Sequence, residues 1–471
     1  MTSQPDPAFE AWLEGQLGHS ARAMLASISP LAIVKHRPGF GQTVRPIAGA
    51  IVASPVLGAY DPDPDYFFHW FRDSAVVIDA LRLLYVERRV GDEALQHLRD
   101  FTRFSLELNR LDGAAVAMPE RRTRVARDFL QYLREDHELA RVRGDAVAAE
   151  TRVNPDGTLD VSRWARPQHD GPPLRALALL RWVAGVHLDA PLLEQVTALI
   201  RFDLDFTLRH WREPSYDIWE EESGHHYYTL RVSAAALREG SAWLLHSGDT
   251  TRARRCAEAA QAVLSLLDGY WVDEPDAKTP GYYRSRVLAD GRPGAKALDI
   301  AVILSAIHGD GPDARHGVAD PRMQATLARL EALFVAAYPI NQAINRAINQ
   351  AINQAINHGR AAARGPAMGR YAGDVYYSGG AYYFSTLGAA EFCFRAAALG
   401  GDGCHWFERG EAYLATVRAY TPASGDLSEQ FDQRSGAQTS AKHLAWSYAA
   451  FISCASARRV AAAACRTPRP R

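Results

Sequence analysis

The segment Tyr216-Asp217-Ile218-Trp219-Glu220-Glu221-Glu222-Ser223-Gly224-His225-His226-Tyr227-Tyr228-Thr229 sets three consecutive carboxylates between aromatic residues, and a helical pattern opens near its end. A solvated acidic run normally has Lys, Ser or further acids as neighbours. Here the neighbours are Asp217, Trp219, Tyr227 and Tyr228. One reading is an acidic loop capping the following helix, since acids favour a helix N-terminus. The other is a concave, partly apolar site in which one carboxyl keeps its proton near neutral pH, as a general acid must. The segment by itself supports both readings equally.

The same alternation of polar-aromatic loop and amphipathic helix runs along the whole chain. Thirteen helical patterns are expected, around 8–27, 73–88, 92–109, 124–142, 172–183, 190–208, 229–246, 250–269, 298–307, 320–336, 380–398, 403–417 and 440–462. Strand–helix alternation is absent, which excludes a Rossmann or TIM-type architecture. The connections at 58–73, 150–172, 212–228, 366–380 and 421–440 hold the densest polar and aromatic residues, and loops on a rigid scaffold are where sites usually sit. The fold class that follows is all-α, an α/α toroid in which inner and outer helices alternate, forming a single catalytic domain over 1–462.

Composition narrows the function. Hydrophobic residues make up 47% and charged residues 23% of the 471 residues, as in a soluble protein with a large core. Lys and Arg number 53 against 54 Asp and Glu, so there is no basic field for nucleic acid. No apolar run is long enough to span a bilayer. The start of the chain lacks the basic-then-apolar pattern of a secretory signal. The five cysteines are scattered without metal-ligand spacing and are read as reduced thiols of a cytoplasmic protein. His225 and His226 are adjacent, an arrangement that rarely points two ligands at one ion, so neither a metal nor another cofactor is expected. From Ile340 the unit Ile-Asn-x-Ala repeats; it is read as a low-complexity insertion over 340–358 in a surface connection, where added length costs little stability. Residues 463–471 are expected to form a disordered tail.

Four further motifs carry chemistry. Asp65-Tyr66-Phe67-Phe68-His69-Trp70-Phe71-Arg72-Asp73 joins an Arg–Asp pair to aromatics; Asp73 suits a helix N-cap but also two sugar hydroxyls, with the planar fork of Arg72 beside it. Trp164-Ala165-Arg166-Pro167-Gln168-His169-Asp170-Gly171-Pro172 offers a stacking face and a row of donors, or simply a Pro-Gly turn. Gly369-Arg370-Tyr371-Ala372-Gly373-Asp374-Val375-Tyr376-Tyr377 offers a guanidinium among tyrosines. Leu427-Ser428-Glu429-Gln430-Phe431-Asp432 supplies a second carboxylate, 209 positions after Glu220 (429 − 220). Two remote carboxylates on aromatic loops fit a glycosidase pair, although the spacing alone is weak.

In their order these five motifs resemble the glucoamylase family, glycoside hydrolase family fifteen, from about residue 50 to 455. The resemblance implies an (α/α)6 barrel that releases glucose from non-reducing ends of maltooligosaccharides or starch with inversion. It implies Glu220 as general acid and Glu429 as base. Tyr66 would lie beside the base, and Arg72, Asp73 and Arg370 would hold the terminal sugar. Trp164, Asp217 and Glu221 would line the pocket, and Trp70, Arg166, Trp219 and Asp374 complete the expected substrate-binding set. Ala165 stands where the family has glycine, His169 where it often has Arg, and Ser378-Gly379-Gly380-Ala381-Tyr382 where some members have Asn-Gly-Asn-Pro-Trp. Those departures fall on the leaving-group side and bear on linkage and chain length. The same chemistry on α-1,6 links or trehalose, a catalytically silent saccharide-binding domain, and a sugar epimerase are the competing readings.

Overall fold

The computed structural model describes residues 6–59, 62–118, 120–273, 280–311, 315–342, 364–400 and 402–466. Among these residues, twelve helices of eight residues or more carry the fold. They are α1 (Pro7–Leu25), α2 (Phe71–Val86), α3 (Glu93–Leu108), α4 (Gly171–Gly185), α5 (Ala190–His210), α6 (Tyr227–His246), α7 (Thr250–Asp268), α8 (Ala301–His308), α9 (Pro321–Ala337), α10 (Tyr383–Ala398), α11 (Gly403–Tyr420) and α12 (Ala445–Arg466). The strands are two to four residues long and tie loops together.

Burial alternates from one helix to the next. In α6 every residue from Tyr227 to Leu237 is buried, and in α10 every residue from Tyr383 to Phe394. Helices α2, α4, α8 and α12 are likewise buried over most of their surface. By contrast α5 buries Leu192, Val196, Leu199, Ile200, Asp203, Leu204 and Thr207 on one stripe, and α3, α9 and α11 are also one-sided. A helix apolar all round must be covered all round, whereas a striped helix keeps one face in water. Even-numbered helices are therefore enclosed on most sides, and odd-numbered helices keep one face in water.

The chain divides into two compact units: Met24–Ser265 with Leu288–Arg292, and Met1–Ala23 with Leu266–Val287 and Pro293–Arg471. In the first, α4 packs on α2, α5 and α6. Arg175 of α4 donates from Nε (2.9 Å) and NH2 (2.6 Å) to Asp203 of α5, both side chains being buried. Removing one partner of such a pair costs about 3–5 kcal/mol, because the other charge is left buried alone. Gly171 opens α4 against Phe71; a Cβ there would lie 2.6 Å from the Cβ of Phe71. Only glycine lets the two chain segments approach so closely. In the second unit α10 packs on α8, α11 and α12.

The pattern expected as a helix over 124–142 is not one. Its residues form a 3-10 turn (Arg127–Tyr132), an extended step at Leu133–Glu135 and a single turn (Asp136–Leu139). Leu133 is drawn into a cluster with Phe40, Val125 and Val161, and its backbone bridges to Ser162. The pull of that cluster and the ion pair of Arg134 with Glu150 (2.9 Å) outweigh the local helical pattern. Helix α12 starts at Ala445, later than expected, and runs through Arg466, into the segment expected as a tail. Of the repeat, Ile340 is buried and Asn341 bonds the chain of Phe334 and Ala367 in three hydrogen bonds. The rest of it, from residue 343, lies outside the described residues, as do residues 467–471.

Candidate active site

In the first unit, five of the expected residues converge on Glu220. Asp217 starts the construction: its Oδ1 accepts the backbone N–H groups of Trp219 (3.1 Å) and Glu221 (2.9 Å), and its carbonyl accepts that of Glu220 (3.0 Å). This tight turn holds Glu220 at φ +65°, a left-handed conformation costly for a non-glycine residue. The side chain, 12% exposed, receives Trp70 Nε1–H (2.8 Å) and an Arg72 N–H (3.1 Å) on Oε1, and Trp164 Nε1–H on Oε2. Tyr66 packs its ring 5.2 Å from that of Trp70. Aromatic residues remote in sequence, Trp70 and Trp164, thus meet Glu220 through indole donors that fix both carboxylate oxygens.

Arg72 is the buried hub. Besides Glu220 it faces Asp170 (3.3 Å) and Asp73 (3.5 Å). Burial alone works to lower its pKa, but the three carboxylates together outweigh it and raise the pKa above the usual arginine value. Burial, reinforced by Glu220 and Asp170, pushes Asp73 up to about 6 despite Arg72. Asp73 Oδ2 and Asp170 Oδ1 are buried without a hydrogen-bond partner. A desolvated acceptor of this kind suits a ligand hydroxyl.

Two residues that sequence reasoning left out complete the frame. Asp170 is brought to Arg72 by the close packing at Gly171. Arg152 pairs with Asp160 (2.9 Å) and lies over the rings of Trp164 (3.6 Å to the centroid), Phe68 (4.0 Å) and Trp70 (4.9 Å). It stands behind both indoles that hold Glu220, and its strand partner is Trp70 itself. Arg152 sits in no quoted motif; its only sequence signal is an Arg ahead of the Trp164 loop. Arg166, expected to meet sugar, bonds Glu150, Asp160 (3.0 Å) and the carbonyl of Ser162 (3.1 Å). Its donors frame the loop. Gln168 bonds the carbonyl of Asp217 (2.6 Å) and so locks that loop to the Glu220 turn. Trp219 is half-buried and Glu221 exposed.

In the second unit, Glu429 is 9% exposed and sits at the head of a short hairpin that pairs Gln430–Phe431 with Gln438–Thr439. Ser440 Oγ donates to Glu429 Oε2, and Ser440 itself is held at φ +64°. Arg370 is clamped bidentately by Asp374 (2.7 and 2.6 Å). Asp374 also accepts Tyr382 Oη (3.1 Å), which in turn accepts from Gln430 (2.8 Å). Asp374, expected to bind substrate, also orients Arg370. Ser378 bonds Gln430 Oε1 from its Oγ (2.9 Å).

The raised pKa of Asp73 has a consequence for stability. A carboxyl whose folded pKa lies above its unfolded value favours the fold most at low pH, and that contribution is lost as pH rises from about 4 through about 6. Measured by denaturant unfolding, the stability of the unmodified protein relative to Asp73→Asn should fall by up to about 3 kcal/mol between pH 4 and pH 7. A difference that does not change with pH would contradict the raised value.

Comparison with known proteins supplies the family. The family model for glycosyl hydrolases family 15 matches residues 38–112 and 148–456. A glucoamylase of Neurospora crassa is 26% identical, over 96% of this chain and 71% of its own length. An intracellular, sporulation-specific glucoamylase of Saccharomyces cerevisiae is 26% identical, over 94% of this chain and 83% of its own. The solved structure of the family 15 glucoamylase from Hypocrea jecorina has a TM-score of 0.70 at 23% identity, over 96% of this chain and 72% of that one. With its twelve alternately buried helices and its matched sequence, the chain belongs to glycosyl hydrolases family 15 and is a glycoside hydrolase of (α/α)6 fold.

Proposed function

We propose that the chain is an inverting, exo-acting α-glucosidase that hydrolyses terminal α-1,4-linked glucose from non-reducing ends of maltooligosaccharides and releases β-D-glucose. The observation that carries this reading is the cradle around Glu220, in which two indole N–H groups and Arg72 converge on one carboxyl beside Asp73, whose Oδ2 accepts no hydrogen bond. In the reaction Glu220 protonates the glycosidic oxygen while Glu429 takes a proton from the attacking water. Inversion requires about 6.5–9.5 Å between the two carboxyls, so that the water fits. Ser440 fixes the rotamer of the base. Asp73 accepts a hydroxyl of the terminal sugar, Arg72 holds Asp73 and Glu220 in register, and Trp164, 41% exposed, gives a stacking face. Similarity to glucoamylases supports this reading over action on α-1,6 links or trehalose. Five free thiols support a reducing, cytoplasmic setting. Among the described residues no helix is long and apolar enough to cross a membrane.

Initial rates on maltotriose, isomaltotriose and trehalose test the substrate. Maltotriose should turn over fastest; preference for either other sugar would reassign the linkage, and no turnover by the folded protein on any of them would favour a silent binding domain. Glu220→Gln should lower kcat by roughly 10²–10⁴-fold with substrate binding retained, and near-normal kcat would remove Glu220 from the acid role. Arg152→Met, which touches the indoles and not Glu220, should lower kcat by about 10–100-fold with KM little changed. Loss confined to KM, or no loss, would leave Arg152 without a positioning role.

A further inference from the structure

A second cluster of chemistry-bearing side chains lies in the first unit, where the loop that carries Trp164 meets the end of α5. One ring nitrogen of His169, one of His210 and one carboxylate oxygen of Glu213 all lie within 4.8 Å of one another. His169 is only 5% exposed, and its Nδ1 is buried without a hydrogen-bond partner. Phe206 packs against both rings, 5.6 Å from His169 and 4.6 Å from His210, so neither imidazole is loosely placed.

His210 is held from both sides. Its Nε2 is 2.7 Å from Asp145 Oδ2, and its Nδ1 is 2.8 Å from Glu213 Oε2. Asp145 is itself fixed by a bidentate pair with Arg209 (2.7 and 2.8 Å). An outer carboxylate that takes the Nε2–H of a histidine sets its tautomer and turns the Nδ1 lone pair toward the inner ligands, the usual second layer of a metal site. A lone pair set against a carboxylate oxygen at that distance calls for a proton or a cation between them. Beside this arrangement stands His169, with a buried nitrogen that nothing else satisfies.

We propose that His169, His210 and Glu213 form a binding site for a divalent transition-metal ion of zinc type, with Asp145 as outer support and water completing the coordination. Two imidazoles and one carboxylate are a donor set that zinc accepts in four-coordinate geometry. Ligand atoms around a tetrahedral ion at such distances stand roughly 3.3 Å apart. The widest pair therefore closes by up to about 1.5 Å, and Glu213, exposed on its turn, is free to make that movement. The ion would clip the loop of His169, which also carries Gln168 and Asp170, to the turn that runs from His210 into Ser215 and the Glu220 segment. It binds no sugar and takes part in no proton transfer, and the proposal does not depend on the hydrolytic reading.

Calorimetric titration of the chelator-stripped, full-length protein with Zn2+ tests the site, with thermal unfolding in the same buffers as the second readout. The expected result is one ion per chain at micromolar affinity or tighter, and a Tm raised by the metal. Glu213→Gln, at an exposed position that keeps the fold, and His169→Asn should each weaken binding at least tenfold and abolish the Tm rise; Asp145→Asn should weaken it about 10–100-fold. Millimolar or non-saturable binding by the folded protein would overturn the proposal. So would tight binding that Glu213→Gln and His169→Asn leave unchanged, since the ion would then sit elsewhere.

Discussion

The guanidinium of Arg72, buried among Asp73, Asp170 and Glu220, is the interaction on which the candidate site depends. Desolvating four ionisable groups together is expensive, and it is tolerable only if each charge has a partner in good geometry. The surrounding structure supplies that geometry. Gly171 lets the head of α4 press on Phe71 and so delivers Asp170. Strand pairing of His69–Trp70 with Arg152–Val153 fixes the segment that leads into Arg72. Burial raises the pKa of Asp73, the imbalance of three carboxylates around one cation adds to it, and Asp73 Oδ2 accepts no hydrogen bond. A sugar hydroxyl relieves that imbalance without bringing in another charge, which is why the site reads as one for neutral polyols.

Two of the seven non-glycine residues with positive φ among the described residues stand where chemistry is proposed. Glu220 at φ +65° and Ser440 at φ +64° are both non-glycine residues in the left-handed region. Each conformation costs of order 1–3 kcal/mol and persists only where its surroundings over-determine it. At Glu220 the carboxylate of Asp217 does so, by collecting two N–H groups of the turn. At Ser440 the neighbouring hairpin and the hydroxyl bond to Glu429 do so. In both places the strained residue aims or steadies a carboxyl.

Much of this was legible in the sequence, and the exceptions have physical causes. The helices could be read because burial imposes a period, and eleven of the twelve long ones lie close to their expected spans, with α12 shifted toward the C-terminus. The pattern at 124–142 misled because Leu133 answers to a distant cluster rather than to its own turn. Motif residues that sit together in sequence, such as Trp70, Arg72 and Asp73, also lie together in the fold. Arg152 was missed because a cation stacked behind two indoles leaves no local pattern. The protein partners of Arg166 and Asp374 were not legible, since sequence shows that a charge is present and not which groups hold it. His169 and His210 are 41 positions apart (210 − 169), beyond any ligand-spacing rule, and only the packing around Phe206 joins them.

Glu220 and Glu429 are proposed to act as an acid and a base on opposite faces of the sugar ring. Proton NMR of the anomeric region during the first turnovers on maltotriose tests it most directly. Glucose that appears first as the β anomer, and only later equilibrates to α, is the predicted result. Glucose that appears first as the α anomer would contradict the claim, because retention requires one of the two carboxylates to attack the sugar itself.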